Sequence, residues 1–162
     1  MRRISVTAAA VLLALPAFAA RSQDHVHPGD AAKEKLGAVH FATSCSPRVT
    51  QQFDRAVALL HSFEFGASIK AFNEVLAADS TCAMAHWGIA LSRWGNPMAA
   101  GNRSAAQLQK GNQAADAATR LGLRASERER GYIHAVSQLY DDFERKDPRT
   151  SVLAYERAMS EL

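Results

Sequence analysis

The sequence predicts an all-α fold: a stack of about six helices, paired antiparallel, behind a cleavable export signal. Two observations predict the stack. Apolar residues recur at spacings of three and four along successive stretches, which gathers them on one face of an α-helix. Those stretches also repeat, because the inward positions of the first helix coincide with those of the third when the chain is shifted by 34 residues. A third observation predicts the signal, since a charged start, a short apolar run and a small-residue cleavage site occupy residues 1–20.

The signal comes first. Arg2 and Arg3 supply the positive start, the apolar run extends from Val6 through Leu15, and Ala17 and Ala19 are small at the alternate positions a signal peptidase requires. Pro16 interrupts the run, which falls short of the roughly 20 apolar residues needed to cross a bilayer. No cysteine follows it for lipid attachment, and Ile4 and Ser5 match a twin-arginine signal poorly, so general secretion is expected. The mature chain is therefore read as periplasmic or secreted, with no membrane span after cleavage.

Cleavage also changes the charge argument. The whole chain carries 19 Lys+Arg against 16 Asp+Glu; losing Arg2 and Arg3 leaves 17 against 16. A net charge so near zero gives no footprint for nucleic acid, which needs clustered cations. Residues 21–38 are read as a flexible lead-in, because Ser22 to Asp30 carries turn residues and no apolar period. A brief turn is expected from Ala31 to Leu36, ended by Gly37, with Val39 and Phe41 extended along the domain.

Helices then follow in order over 39–162. Ser46 as cap and Pro47 in the first turn start the first, with Val49, Phe53, Ala56, Val57 and Leu60 on its inner face. After the break at Phe63-Glu64-Phe65-Gly66, a second face reads Phe65, Ile69, Phe72 and Leu76. Asp79-Ser80-Thr81 opens a third helix with Trp87, Ala90, Leu91 and Trp94 inward, ended by Gly95-Asn96-Pro97. A long alanine-rich helix runs from Ser104 to Leu121, weakened midway by Gly111 and Asn112, its alanines permitting close approach of neighbours. Ser126 with Glu129 forms a capping box for a fifth helix carrying Tyr132, Val136, Leu139, Tyr140 and Phe143. Asp147-Pro148 opens a sixth, with Val152, Tyr155, Ala158, Met159 and Leu162 on one face. No polar closing helix follows, so the repeat array reads as cut short and that face as exposed and prone to self-association.

At the 34-residue offset Val49 maps to Ala83, Phe53 to Trp87, Ala56 to Ala90, Val57 to Leu91 and Leu60 to Trp94. Between them Ser68 takes a small-residue position, Phe72 an aromatic position four residues on, and Asp79-Ser80 a site for an acidic residue and a proline. With these residues the chain resembles the tetratricopeptide-repeat family, whose helical period is 34 residues. More narrowly, Phe41-Ala42-Thr43-Ser44-Cys45, Leu59-Leu60-His61-Ser62-Phe63 and Cys82 to Gly88 look like a bacterial group of exported repeat proteins that mostly lacks an assigned biochemical role. Ser80 departs from the family's proline and Ala56 from its glycine. The resemblance implies a protein or peptide partner held in a groove, no cofactor, and a repeat core of Phe53, Ala56, Leu60, Ser68, Phe72, Trp87, Ala90 and Trp94. Trp87 and Trp94 match core positions, and groove anchoring is their other use. Gln52, Arg55, His61, His86 and Arg93 project from the first helices of each pair as groove candidates.

Cys45 and Cys82 are the only cysteines and would reach an oxidising compartment, so a disulfide is expected; two buried free thiols are the alternative. Successive first helices of a repeat stack run side by side, which brings their N-terminal ends together. The Cα separation of about 4.4–6.8 Å that a disulfide needs is less than the usual helix spacing of about 8–10 Å, so the loop bearing Cys45 must lean inward.

Catalytic machinery is absent from the sequence: no phosphate-binding glycine loop, nucleophile elbow, paired zinc-binding histidines on a helix or Cys-x-x-Cys occurs. Asp141-Asp142 and Glu127 to Arg130 read as solvated faces. The expectation is an interaction module rather than an enzyme. The competing function is a periplasmic metal-binding protein using His25 and His27 with His40, His61 or His86. Calorimetry with copper or zinc, repeated on His25→Ala and His27→Ala, distinguishes the two.

Overall fold

The computed structural model describes residues 36–97 and 103–162. The expected export signal and the lead-in as far as residue 35, with His25 and His27, lie outside the described residues. Within them the chain is all-helical, with α1 Thr50–His61, α2 Phe65–Ala78, α3 Ala83–Trp94, α4 Ala105–Leu121, α5 Glu127–Tyr140 and α6 Pro148–Ser160. Each helix packs on its predecessor and successor, and α3 also touches both α1 and α5. Among the described residues no helix is long and apolar enough to cross a membrane.

The first helix starts differently from the sequence expectation. Pro47–Val49 forms a 3-10 turn and the Ser46 side chain caps nothing. The Ser46 amide instead donates to Asp79 Oδ2 at 2.7 Å. A carboxylate is the stronger acceptor, and accepting from the amide fixes the chain entering α1 against the loop entering α3. Phe53, Ala56, Val57 and Leu60 are buried as the spacing requires.

The buried side of α2 is rotated from the expected face. Ser68, Ala71, Phe72 and Val75 are buried, whereas Phe65, Ile69 and Leu76 are only half-buried. The cause is that α2 lies between α1 and α3 and must meet both through a narrow seam. Ser68 Oγ donates to the Ala56 carbonyl at 3.0 Å. Ser92 Oγ, on α3, lies 3.0 Å from Ser68 Oγ and 2.8 Å from the Gly88 carbonyl, so neither buried hydroxyl lacks a partner. The Phe72 ring occupies the space a Cβ on Gly88 would need.

Helix α3 is buried along nearly its whole length, as befits a helix that packs against α1, α2, α4 and α5. Gly111, which weakens α4 by propensity, sits under the Tyr140 ring, where a Cβ would collide with it. Tyr140 Oη then reaches across to donate to the Ala90 carbonyl at 2.7 Å, and its ring meets Trp94 edge-on at 5.5 Å. The Ser126–Glu129 capping box is present, and Asp147 caps α6 by accepting from the Arg149 amide at 3.0 Å.

The apolar face expected to be bare on α6 is partly covered. Val152 and Tyr155 pack against the core, and Met159 is half-buried. Leu162, at the end of that face, is exposed as expected, and so is Leu153. A short loop folds α6 back onto α5, which gives the face a partner within the chain.

Candidate functional site

Residues 36–46 form an irregular segment that crosses α1, α3 and α5. From Val39 to Ser44 its side chains alternate, Val39, Phe41 and Thr43 half-buried, His40, Ala42 and Ser44 exposed, the two-residue period of extended chain. Phe41 is the centre of this arrangement. Its ring lies 5.9 Å from Phe53 of α1, 5.6 Å from Trp87 of α3 and 5.4 Å from Tyr132 of α5. The Arg128 guanidinium covers the ring at 4.8 Å. The Phe41 amide donates to Asp54 Oδ1 at 3.0 Å, while Asp54 Oδ2 faces the exposed His40 imidazole at 3.6 Å.

Beyond Phe41 the segment is pinned firmly. The Ser44 amide donates to Glu129 Oε1 at 2.7 Å and the Ser44 hydroxyl to Glu129 Oε2. Glu129 also accepts from the Ser126 amide at 2.9 Å, so one buried carboxylate closes its own capping box and holds a residue 85 positions away. Burial alone would raise the Glu129 pKa, but the Ser44 and Ser126 donors outweigh it and hold the carboxyl below its ordinary value. Next to it Cys45 and Cys82 form a disulfide with Cα atoms 4.8 Å apart, the inward lean of the Cys45 loop realised. Asp79 completes the corner. Its pKa is lowered by the Ser46 amide, then by the Thr81 hydroxyl. The N-terminal ends of α1, α3 and α5 are thus gathered by three consecutive residues, Ser44 to Ser46.

An open cleft of about 610 Å³ adjoins this corner, with Ser44, Cys45, Ala83 and Glu129 on one side and Arg120, Leu123 and Arg124 among the residues of the other. Both arginines stand at the C-terminal end of α4 or in the turn beyond it, where a cation also complements the helix dipole.

The residues named from sequence fall into two groups. Phe53, Ala56, Leu60, Ser68, Phe72, Trp87, Ala90 and Trp94 all lie in the interior. Of the groove candidates, Gln52, Arg55 and His61 are exposed on α1, but His86 and Arg93 are half-buried on α3. Burial, and then the nearby Arg120 charge, lower the His86 pKa. Among the described residues no three His, Cys, Asp or Glu side chains converge as a metal site would require. Asp54 and Arg128 carry no sequence signal for this face beyond position, Asp54 next to the core residue Phe53 and Arg128 one turn before Tyr132, which the apolar spacing of the fifth helix places inward.

No protein-family model, curated protein or solved structure matches the chain. What the fold and the site define is a class: among the described residues, a disulfide-linked all-α stack of six helices in which α1, α3 and α5 hold a segment of non-helical chain.

Proposed function

We propose that this chain is an exported interaction module of the tetratricopeptide-repeat type, binding a protein or peptide partner and carrying no catalytic activity. The observation that carries the reading is the seat of Phe41. Rings from three separate helices surround one side chain of an extended segment, and a carboxylate takes its backbone amide. A surface of this kind recognises chain in extended form, by pocket and by main-chain hydrogen bond together. The disulfide fits an oxidising compartment, consistent with the signal-like start of the sequence.

The test is capture of partners by the mature protein from a periplasmic extract, with Tyr132→Ala as the control surface. The reading expects specific proteins enriched by the native face and reduced by the substitution. Enrichment of nothing, together with measurable turnover of a small molecule, would sink it.

A further inference from the structure

The segment that fills the face is held very unevenly along its length. Ser44, Cys45 and Ser46 are secured by the Glu129 carboxylate, a covalent bond and the Asp79 carboxylate. Residues 36–43 have much less. Among the described residues no backbone–backbone hydrogen bond ties them to a helix. They rely on half-buried Leu36, Val39 and Phe41, and on one amide given to Asp54. The His40–Asp54 contact adds little, because the imidazole is 93% exposed and solvent screens it.

We propose that residues 36–43 are an intramolecular plug, anchored at Cys45, which gives way to an extended segment of a partner protein carrying an aromatic residue two positions after a branched aliphatic one. This rests on the interaction reading above. The chemistry of the face specifies the partner. The three rings and the Arg128 guanidinium select an aromatic side chain. Asp54 requires a free amide on that same residue, which excludes proline there. The half-buried Val39 marks the second side-chain position, two residues earlier, as the period of extended chain demands. Because the plug is tethered, it competes at high effective concentration, so the partner's apparent affinity is reduced by the fraction of time the plug is seated.

The experiment uses the mature, disulfide-intact protein and a fluorescent peptide with the sequence of residues 36–43, Leu-Gly-Ala-Val-His-Phe-Ala-Thr. Anisotropy should show binding to Phe41→Ala at least about tenfold tighter than to the native protein, because the emptied seat no longer has a cis competitor. Adding Tyr132→Ala should abolish it. Equal binding to the native protein and to a folded Phe41→Ala variant overturns the plug. A second measurement needs no variant: by hydrogen exchange on the native protein, the Phe41 amide should exchange at least about 100-fold faster than the Ser46 amide, through local release of the segment. Equal protection of the two overturns the proposal, since residues 36–43 would then open only with the core. Failure of both peptide arms alongside successful capture of a partner overturns the plug and leaves the interaction reading standing. Success of the peptide arms without any captured partner supports the plug and counts against that broader reading.

Discussion

Replacing Glu129 with alanine removes the acceptor for two backbone amides, those of Ser44 and Ser126, and for two serine hydroxyls. The hydroxyls can turn to water, since both serines are exposed, and are left out of the estimate. A hydrogen bond to a charged group contributes about 1.5–3 kcal/mol. Water also reaches the two amides after truncation, so the lower figure applies to each, and Glu129→Ala should cost about 3 kcal/mol. Glu129→Gln keeps one acceptor oxygen and loses the charge, which should cost roughly half as much. With a urea m-value of about 1.5 kcal/mol per M, the alanine variant should unfold about 2 M urea earlier at unchanged m. Glu127→Ala, on the exposed first turn of the same helix, is the control and should shift the midpoint little. The same carboxylate sets an acid dependence. Its folded pKa lies below its ordinary value of 4.5, so its contribution is complete above that pH and is lost as the pH falls through the folded pKa. A loss below about 1 kcal/mol for Glu129→Ala, or one matching Glu127→Ala, would refute the reasoning, as would a Glu129→Gln variant less stable than Glu129→Ala.

Three further outcomes are expected. Cys45→Ser with Cys82→Ser should cost about 4 kcal/mol on the chain-entropy estimate for a 37-residue separation, measured by urea unfolding, while non-reducing peptide mapping of the native protein should show the two cysteine peptides joined. Gly111→Ala should destabilise by about 1–3 kcal/mol although alanine is the better helix former, because the Tyr140 ring fills the space. Gly66→Ala, where a Cβ meets nothing, should be neutral or slightly stabilising by thermal melt, and the opposite order of these two would contradict the packing described. N-terminal sequencing of exported material should begin at Ala20 or Arg21, and recovery of an intact Met1 on a membrane-embedded protein would rule out a cleaved signal.

The helices were legible from sequence wherever a local rule governed them. Ser126 with Glu129 and Asp147 with Pro148 announce two helix starts within four residues of themselves, and both caps form. The 34-residue shift brought Phe53 and Trp87 into register, and both are core residues in contact with Phe41. What could not be read was set by residues far apart in the chain. Ser46 looks like a cap because a nearby rule says so, yet Asp79, 33 positions on, takes its amide. Gly111 reads as a flaw in α4 until Tyr140, on another helix, is seen lying across it. The face of α2 was misjudged by a fraction of a turn, since periodicity ranks residues by hydrophobicity and so prefers Ile69 to Ser68. The interior prefers Ser68, whose hydroxyl finds the Ala56 carbonyl and Ser92. The Phe41 face itself left no pattern, because its members come from an irregular segment and three helices.

The corner at Ser44 to Ser46 has a consequence for the order in which the chain completes its fold. Under the proposed export a chain emerging N-terminus first would have both cysteines available once α3 has emerged, before Glu129 follows. Closing the bridge then shortens the path between Ser44 and Glu129 from 85 residues to 48, which is 85 less the 37 spanned by the bond. Loop-closure entropy scales as three-halves of RT times the logarithm of length, so the later contact becomes easier by about 0.5 kcal/mol. The gain is small in energy but it has a direction: oxidation at Cys45 and Cys82 readies the landing place for α5. A cysteine-free chain must instead find the Glu129 contact by searching the full span.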